Sequence, residues 1–341
     1  MKKERNLTYD VINILACISV VALHHNALVH GYKPGWHWVQ SLTVECLFYW
    51  CVPAFMMLSG ANLLAYKDRY STGAFLKKRL LRTVLPWLFW SMVFLPLRIW
   101  AGEFGLAPAT IKNAADAILN NRNMTVYWFF PAMFSCYLCM PILTHMRNDR
   151  KALWYVAAVC FAFYSCKPAI QTLLDLKWSL DAPIGPSMLI FVVLGYLLTT
   201  KPPEKKERII LYILGIAGVL FRFVYTWYYS VQKGSTDTTI KGYAQFHSVF
   251  FACAVFVLLS RIPWNRILPE WLKKIIPSLS ACSLGVYLIH WIVMMYERHL
   301  LGLGNNDWTW RTVFIPVTYL VSLGIVMLIR KIPGGKALTG G

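Results

Sequence analysis

The chain has 341 residues, 57% of them hydrophobic and only 14% charged, with a mean hydropathy of +0.49. Soluble domains run near 25% charged residues, so this composition excludes an ordinary water-soluble globule and points to a membrane protein. The net charge of +19 suggests nucleic acid at first sight, but the basic residues punctuate apolar runs and form no continuous face, so no nucleic-acid partner is expected.

Ten membrane segments are predicted, at roughly 8–29, 40–65, 75–99, 125–145, 152–167, 185–200, 208–229, 242–260, 279–299 and 310–329. A hydrocarbon core about 30 Å thick needs about 20 residues of helix. The fifth and sixth runs fall short of that, so they are expected to tilt little, to be broken, or to lie inside the bundle. The chain is expected to be one domain over 1–341, an all-α bundle with lipid as its solvent. Lys and Arg sort by connection: 23 lie in the terminal and even-to-odd segments, 10 in the opposite ones, and Arg222 falls within a span. That excess predicts both termini in the cytoplasm of a cell membrane, the bacterial cytoplasmic membrane being the simplest setting. The start, MKKERN, looks like a signal peptide, but Asp10 and the His pair interrupt the pattern and no clear cleavage site follows, so the helix is expected to be retained.

The first span, DVINILACISVVALHH, ends in His24 and His25. An ionisable side chain in hydrocarbon costs a few kcal/mol or more and rarely persists without a role. Asn13 and His24 are eleven residues apart, so they share one stripe, offset by about 20° and separated by about 16 Å along the axis. His25 points about 100° away. It is either an interfacial histidine or the reactive one in a register slipped by one. In the second span, Glu45 is the sole carboxylate well inside. It either accepts a histidine N–H, binds an acceptor, or pairs with Arg98. VPAFMMLSG (52–60) closes that span, where Gly60 permits close backbone approach and Ser59 bonds within the bundle.

FLKKRLLRTVLPW (75–87) opens the third span. Arg79 and Arg82 are three apart and should share a helix face, with Lys78 at i,i+4 to Arg82. They fit either bidentate phosphate binding or an anchor to lipid headgroups. Segment 109–121 reads as a short amphipathic surface helix or an ordinary loop helix. The nine cysteines lie in or beside spans. Cys136 and Cys139 lack a second ligand pair, so no metal is expected and they read as small buried hydrophobes. VYWFFPAMFSCYLCMPIL (126–143), with Trp128, is belt and core. Arg222 and His247 line an acceptor pocket or snorkel to an interface. SLGVYLIH (283–290) brings Tyr287 and His290 into the ninth span, His290 reading as pocket-lining or structural rather than as a base.

Five of these blocks, in order and on a ten-span background, resemble the membrane acyltransferase family 3 over nearly the whole chain. DVINILACISVVALHH resembles its first helix, where an arginine, ten residues and a histidine base recur; the histidine matches at His24 and the arginine position holds Asn13. VPAFMMLSG, the Arg79–Arg82 pair before a proline, the Trp-Phe block and SLGVYLIH follow. The resemblance implies transfer of an acyl group, most simply acetyl, from cytoplasmic acyl-CoA to a hydroxyl of an extracytoplasmic glycan or similar acceptor. It implies His24 as general base and CoA phosphates on Arg79, Arg82 and Lys78; Glu45, read from its place in the span, is a candidate catalytic partner of that base. Asn13, Tyr287, Arg222 and His247 would line the substrate path. The alternative is a transporter or substrate-binding module for a small polar molecule such as serine, as in similar domains fused to racemases of glycopeptide-resistance systems. Acyl-CoA dependence separates the two.

Overall fold

In a computed structural model, which describes residues 5–102, 105, 110–176 and 179–341, every regular element is helical. The first helix, α1 (Leu7–His25), starts at Asn6, whose side chain accepts from the Thr8 amide at 3.0 Å. The second span is two collinear pieces, α2 (Trp36–Phe48) and α3 (Cys51–Leu63). The third begins with α4 (Thr72–Arg79), widens into a π turn at Leu80–Val84, and continues as α5 (Leu85–Trp100). A short surface helix, α6 (Ile111–Leu119), follows; Ala117 and Ile118 are buried while Ile111 and Leu119 face outward. That matches the predicted surface helix, apart from residue 109, which lies outside the described residues.

The fourth span is α7 (Phe129–Leu143) and the fifth is α8 (Arg150–Cys160), a second π turn at Phe161–Cys166, and α9 (Lys167–Leu173). The sixth, α10 (Leu189–Thr200), is only 12 residues long and buried along most of its length. Two long antiparallel helices, α11 (Lys205–Lys233) and α12 (Phe246–Arg261), come next. After the short α13 (Trp264–Ile267), α14 (Glu270–Leu301) makes the ninth span. A turn of helix, α15 (Trp308–Thr312), leads to the tenth, α16 (Phe314–Ile329), and α17 (Gly335–Leu338) tucks against α5, where Trp90 Nε1 donates to the Leu338 carbonyl at 2.9 Å. Among the described residues, seven helical segments are long and apolar enough to cross a membrane, and three shorter apolar ones bring the number to about the ten expected.

Polar caps sit at the ends of the spans. Asp149 accepts from the Ala152 amide at 3.0 Å, and Glu204 and Glu207 form a reciprocal capping box at the start of α11. Gly234 (φ 63°) and Gly302 (φ 64°) end α11 and α14 in the left-handed conformation that glycine adopts without penalty. Along α11, Ile209, Ile213, Ile216, Leu220 and Val224 recur at helical spacing and are each about half exposed. A continuous apolar stripe of this kind suits hydrocarbon rather than water.

The bundle is built around α1, which packs against α3, α14 and α16. α3 and α10 approach very closely. A Cβ on Gly60 would lie 1.8 Å from the Val192 carbonyl oxygen, and one on Gly195 would lie 2.1 Å from that of Met57. Neither backbone can yield without separating the helices. Gly60→Ala and Gly195→Ala are each expected to cost upward of about 3 kcal/mol, the high end of overpacking. Fluorescence-detected size exclusion should report loss of the folded peak; a wild-type profile for both would refute the close approach.

Candidate active site

A cavity of about 330 Å³ opens at the end of the bundle where residues 5 and 340 lie. Its wall comes from α1, α3, the α4–α5 junction, α7 and α14. α1 contributes Asp10 and Asn13, one helical turn apart on the same face. Asp10 is gripped by Arg5 through two bonds of 2.7 and 2.9 Å. The Asn13 amide donates to the Ser280 carbonyl and hydroxyl oxygens, both at 3.0 Å, tying α1 to α14 beside the cavity. Ser59, next to the closely packed Gly60, lines the opposite wall. Asp10 and Ser280 were not singled out in the sequence; Asp10 carried a usable signal, three residues before Asn13 on one face.

The basic residues of the third span separate here. Arg79 lines the cavity, and its buried Nε has no hydrogen-bond partner. Its guanidinium lies 5.6 Å from the centre of the Tyr137 ring. Arg82 is exposed and does not line the cavity, and the Lys78 ammonium sits 3.7 Å over the Tyr70 ring. The shared face expected from a three-residue step holds for α-helical geometry only. The π turn at Leu80–Val84 widens the helix between the two arginines and turns Arg82 away. Thr83 takes the position on the cavity wall instead, its hydroxyl donating to the Arg79 carbonyl at 2.5 Å.

Phe129 and Tyr287 line the cavity at its inner end. Their rings are 5.5 Å apart, and the Tyr287 hydroxyl is fixed to the Val126 carbonyl at 2.6 Å. One turn further along α14 is His290, whose ring centre is 5.6 Å from that of Tyr287. His290 Nε2 lies 2.7 Å from His24 Nδ1. The two rings are nearly parallel (7°) with centroids 4.9 Å apart, a separation that suits an in-plane N–H···N bond. His24 is partly exposed, and its Nε2 makes no hydrogen bond among the described residues. His25 is fully buried with both nitrogens engaged, Nδ1 to the Trp310 carbonyl at 2.9 Å and Nε2 to the Thr318 hydroxyl at 2.8 Å. Of the neighbouring histidines, only His24 has an open ring nitrogen.

A family model for an acyltransferase domain, acyltransferase family 3, matches residues 6–327. The chain belongs to acyltransferase family 3. The match runs from the cap of α1 into the last turn of α16, so it contains the cavity-lining residues of α1, α3, α7 and α14 and the His24–His290 pair. No curated protein and no solved structure matches the chain. The family makes this an acyltransferase, and with its apolar helices a membrane protein.

The remaining sequence candidates of this acyltransferase form a separate cluster. Glu45 pairs with Arg222 at 2.7 Å rather than with a histidine or Arg98, and both side chains are less than one-tenth exposed. Arg98 instead donates to the Asn123 carbonyl. Arg222 also lies 3.5 Å over the Tyr49 ring. His247 contacts the Gln245 side-chain oxygen at 3.3 Å and the Ser248 hydroxyl at 3.2 Å. The space between Tyr49, Arg222 and His247 is about 10 Å³, about enough for one water molecule. Outside the spans, His30 Nδ1 and the Lys241 ammonium meet at 2.8 Å. Burial and that ammonium hold His30 below the ordinary histidine range.

Proposed function

We propose that this acyltransferase takes an acyl group, most simply acetyl, from acyl-CoA entering the cavity and passes it to a hydroxyl of an extracytoplasmic glycan or similar acceptor. The observation that carries the reading is the buried, unpartnered Nε of Arg79 in a cavity whose inner end lies one helical turn from the His24–His290 pair. A guanidinium donor without a partner suits the phosphates of CoA. The excess of Lys and Arg on the connections at the same end supports a cytoplasmic placement, where CoA is found. Asn13 stands where the family arginine would be, and its amide is already used by Ser280. It supplies shape and hydrogen bonding to the donor site, and Arg79 supplies the charge.

The chemistry then needs one base. His24 Nε2 takes the acceptor's hydroxyl proton as the oxygen attacks the thioester carbonyl. The C–S bond of the resulting tetrahedral intermediate breaks, and the CoA thiolate collects the proton from His24. The products are the ester and CoA thiol. Phe129 and Tyr287, which line the cavity beside His290, give the thioester an apolar surface that limits bulk water.

Isothermal calorimetry with CoA tests the donor site. Arg79→Ala is expected to weaken binding by about 1.5–3 kcal/mol, the worth of a charged hydrogen bond. Arg82→Ala, at an exposed position outside the cavity, should lose much less, and binding should weaken as salt rises. Absence of any CoA binding by the unaltered protein would overturn the acyl-CoA reading in favour of transport of a small polar molecule.

A further inference from the structure

We propose that His290 is a positioning residue that holds the ring proton of His24 on Nδ1 and thereby reserves His24 Nε2 as the basic atom. The inference rests on the reading of His24 as base, and it assigns a role to a residue that the reaction scheme above leaves unused.

The assignment follows from counting donors. His290 Nδ1 lies 2.7 Å from the Tyr287 carbonyl oxygen and 3.2 Å from that of Val286. A carbonyl oxygen only accepts, so the proton of a neutral His290 ring must sit on Nδ1. Its Nε2 then carries a lone pair and can only accept. The atom facing it at 2.7 Å is His24 Nδ1, which must therefore donate. With its single proton committed to Nδ1, neutral His24 presents a lone pair at Nε2, the nitrogen that has no partner within the described residues. Two backbone carbonyls of α14 thus determine, through two rings, which nitrogen on α1 is basic.

The arrangement is stiff as well as directional. His290 is fully buried, with the Tyr287 ring beside it and His24 coplanar at its other edge. Trp291 meets the His24 ring at right angles with centroids 5.4 Å apart, a second restraint on that ring. Released from His290, the His24 ring would turn and exchange tautomers. In the Nε2–H tautomer it would offer a proton to the incoming hydroxyl, where the reaction requires a lone pair. A neutral orienting ring also differs from a carboxylate in a way that suits thioester chemistry. The His24 imidazolium formed during attack has no anion to hold it, so it passes its proton readily to the departing thiolate.

Two measurements on the full-length protein in lipid nanodiscs test this. The first is the ¹⁵N spectrum of histidine-labelled protein, with His24 identified by its loss in His24→Ala. His24 is expected to carry its proton on Nδ1 in the unaltered protein and to show exchange between tautomers in His290→Leu. The second is thiol release from acetyl-CoA, with the producing cell's membranes as acceptor source. His290→Leu should lower kcat by about 10²-fold, the scale of loss when a reacting group is displaced by an ångström. The KM for acetyl-CoA should stay unchanged. His290→Gln, which returns an accepting oxygen, should recover most of the rate. An Nε2–H tautomer in the unaltered protein would overturn the inference whether or not His290→Leu folds. So would a His290→Leu enzyme as fast as the unaltered one while His24→Ala is dead, and that result would leave the base reading standing. A fully active His24→Ala enzyme would instead remove the base reading, and the role of His290 with it.

Discussion

His24→Ala is expected to lower the rate of acyl transfer by about 10²–10⁴-fold, the usual loss for a general base, while the protein still folds and binds CoA. Among the described residues, the side chain's one hydrogen bond is that to His290. Its loss leaves His290 Nε2 as an unmet buried acceptor, a cost of about 1–3 kcal/mol. His24 is not among the residues that line the cavity with Arg79, so donor affinity should hold. His25→Ala should behave in the opposite way. It removes a bond to the Trp310 carbonyl and one of two bonds at the Thr318 hydroxyl, which still donates to Glu297, and opens a void where α1 meets α15 and α16. Stability should fall by about 2–5 kcal/mol, as for large-to-small changes in a core, and specific activity per folded molecule should be largely kept. Thiol release from acetyl-CoA, normalised to the folded fraction by size exclusion, separates the two. A His25→Ala protein that is folded but inactive, beside an active His24→Ala protein, would place the base one residue later.

Much of this contrast was legible in the sequence. The Asn13–His24 stripe follows from helical periodicity, and both residues do face α14, Asn13 through Ser280 and His24 through His290. The ten apolar runs also follow from composition and length, burial is one of three outcomes open to the short sixth segment, and Gly60 marks a place for close backbone approach. What escaped has a common cause in geometry between or within helices. The π turn that parts Arg79 from Arg82 leaves no mark in residue type, because LLRTV reads as ordinary helix. The partner of His24 lies 266 residues away, and a period of 3.6 residues says which face His290 is on but not what stands opposite. Glu45 reads as an intramembrane carboxylate that accepts a histidine N–H, binds an acceptor or pairs with Arg98; Arg222 is not among these, and packing of α2 against α11 brings it to Glu45.

The Glu45–Arg222 pair carries the other large expected effect. Arg222→Met removes the cation and leaves a carboxylate in a site where Glu45 is 6% exposed. Breaking a buried pair from one side costs about 3–5 kcal/mol, because the remaining charge has neither water nor partner. The cation over the Tyr49 ring is lost as well, so the upper part of that range applies. Glu45→Gln keeps an accepting oxygen for Arg222 Nη2 and should cost less. The informative variant is the double one. Attraction within a desolvated pair roughly repays its own burial, so Glu45→Leu with Arg222→Met should recover most of the stability lost by Arg222→Met alone. Thermal unfolding followed by tryptophan fluorescence gives the three values. If the double variant is also as active per folded molecule as the unaltered protein, the cluster serves to hold α2 against α11 and takes no part in binding substrate. If it is stable but has lost acceptor turnover with CoA binding intact, then Glu45 and Arg222 belong to the acceptor path, and the water-sized space beside His247 must open when the acceptor arrives.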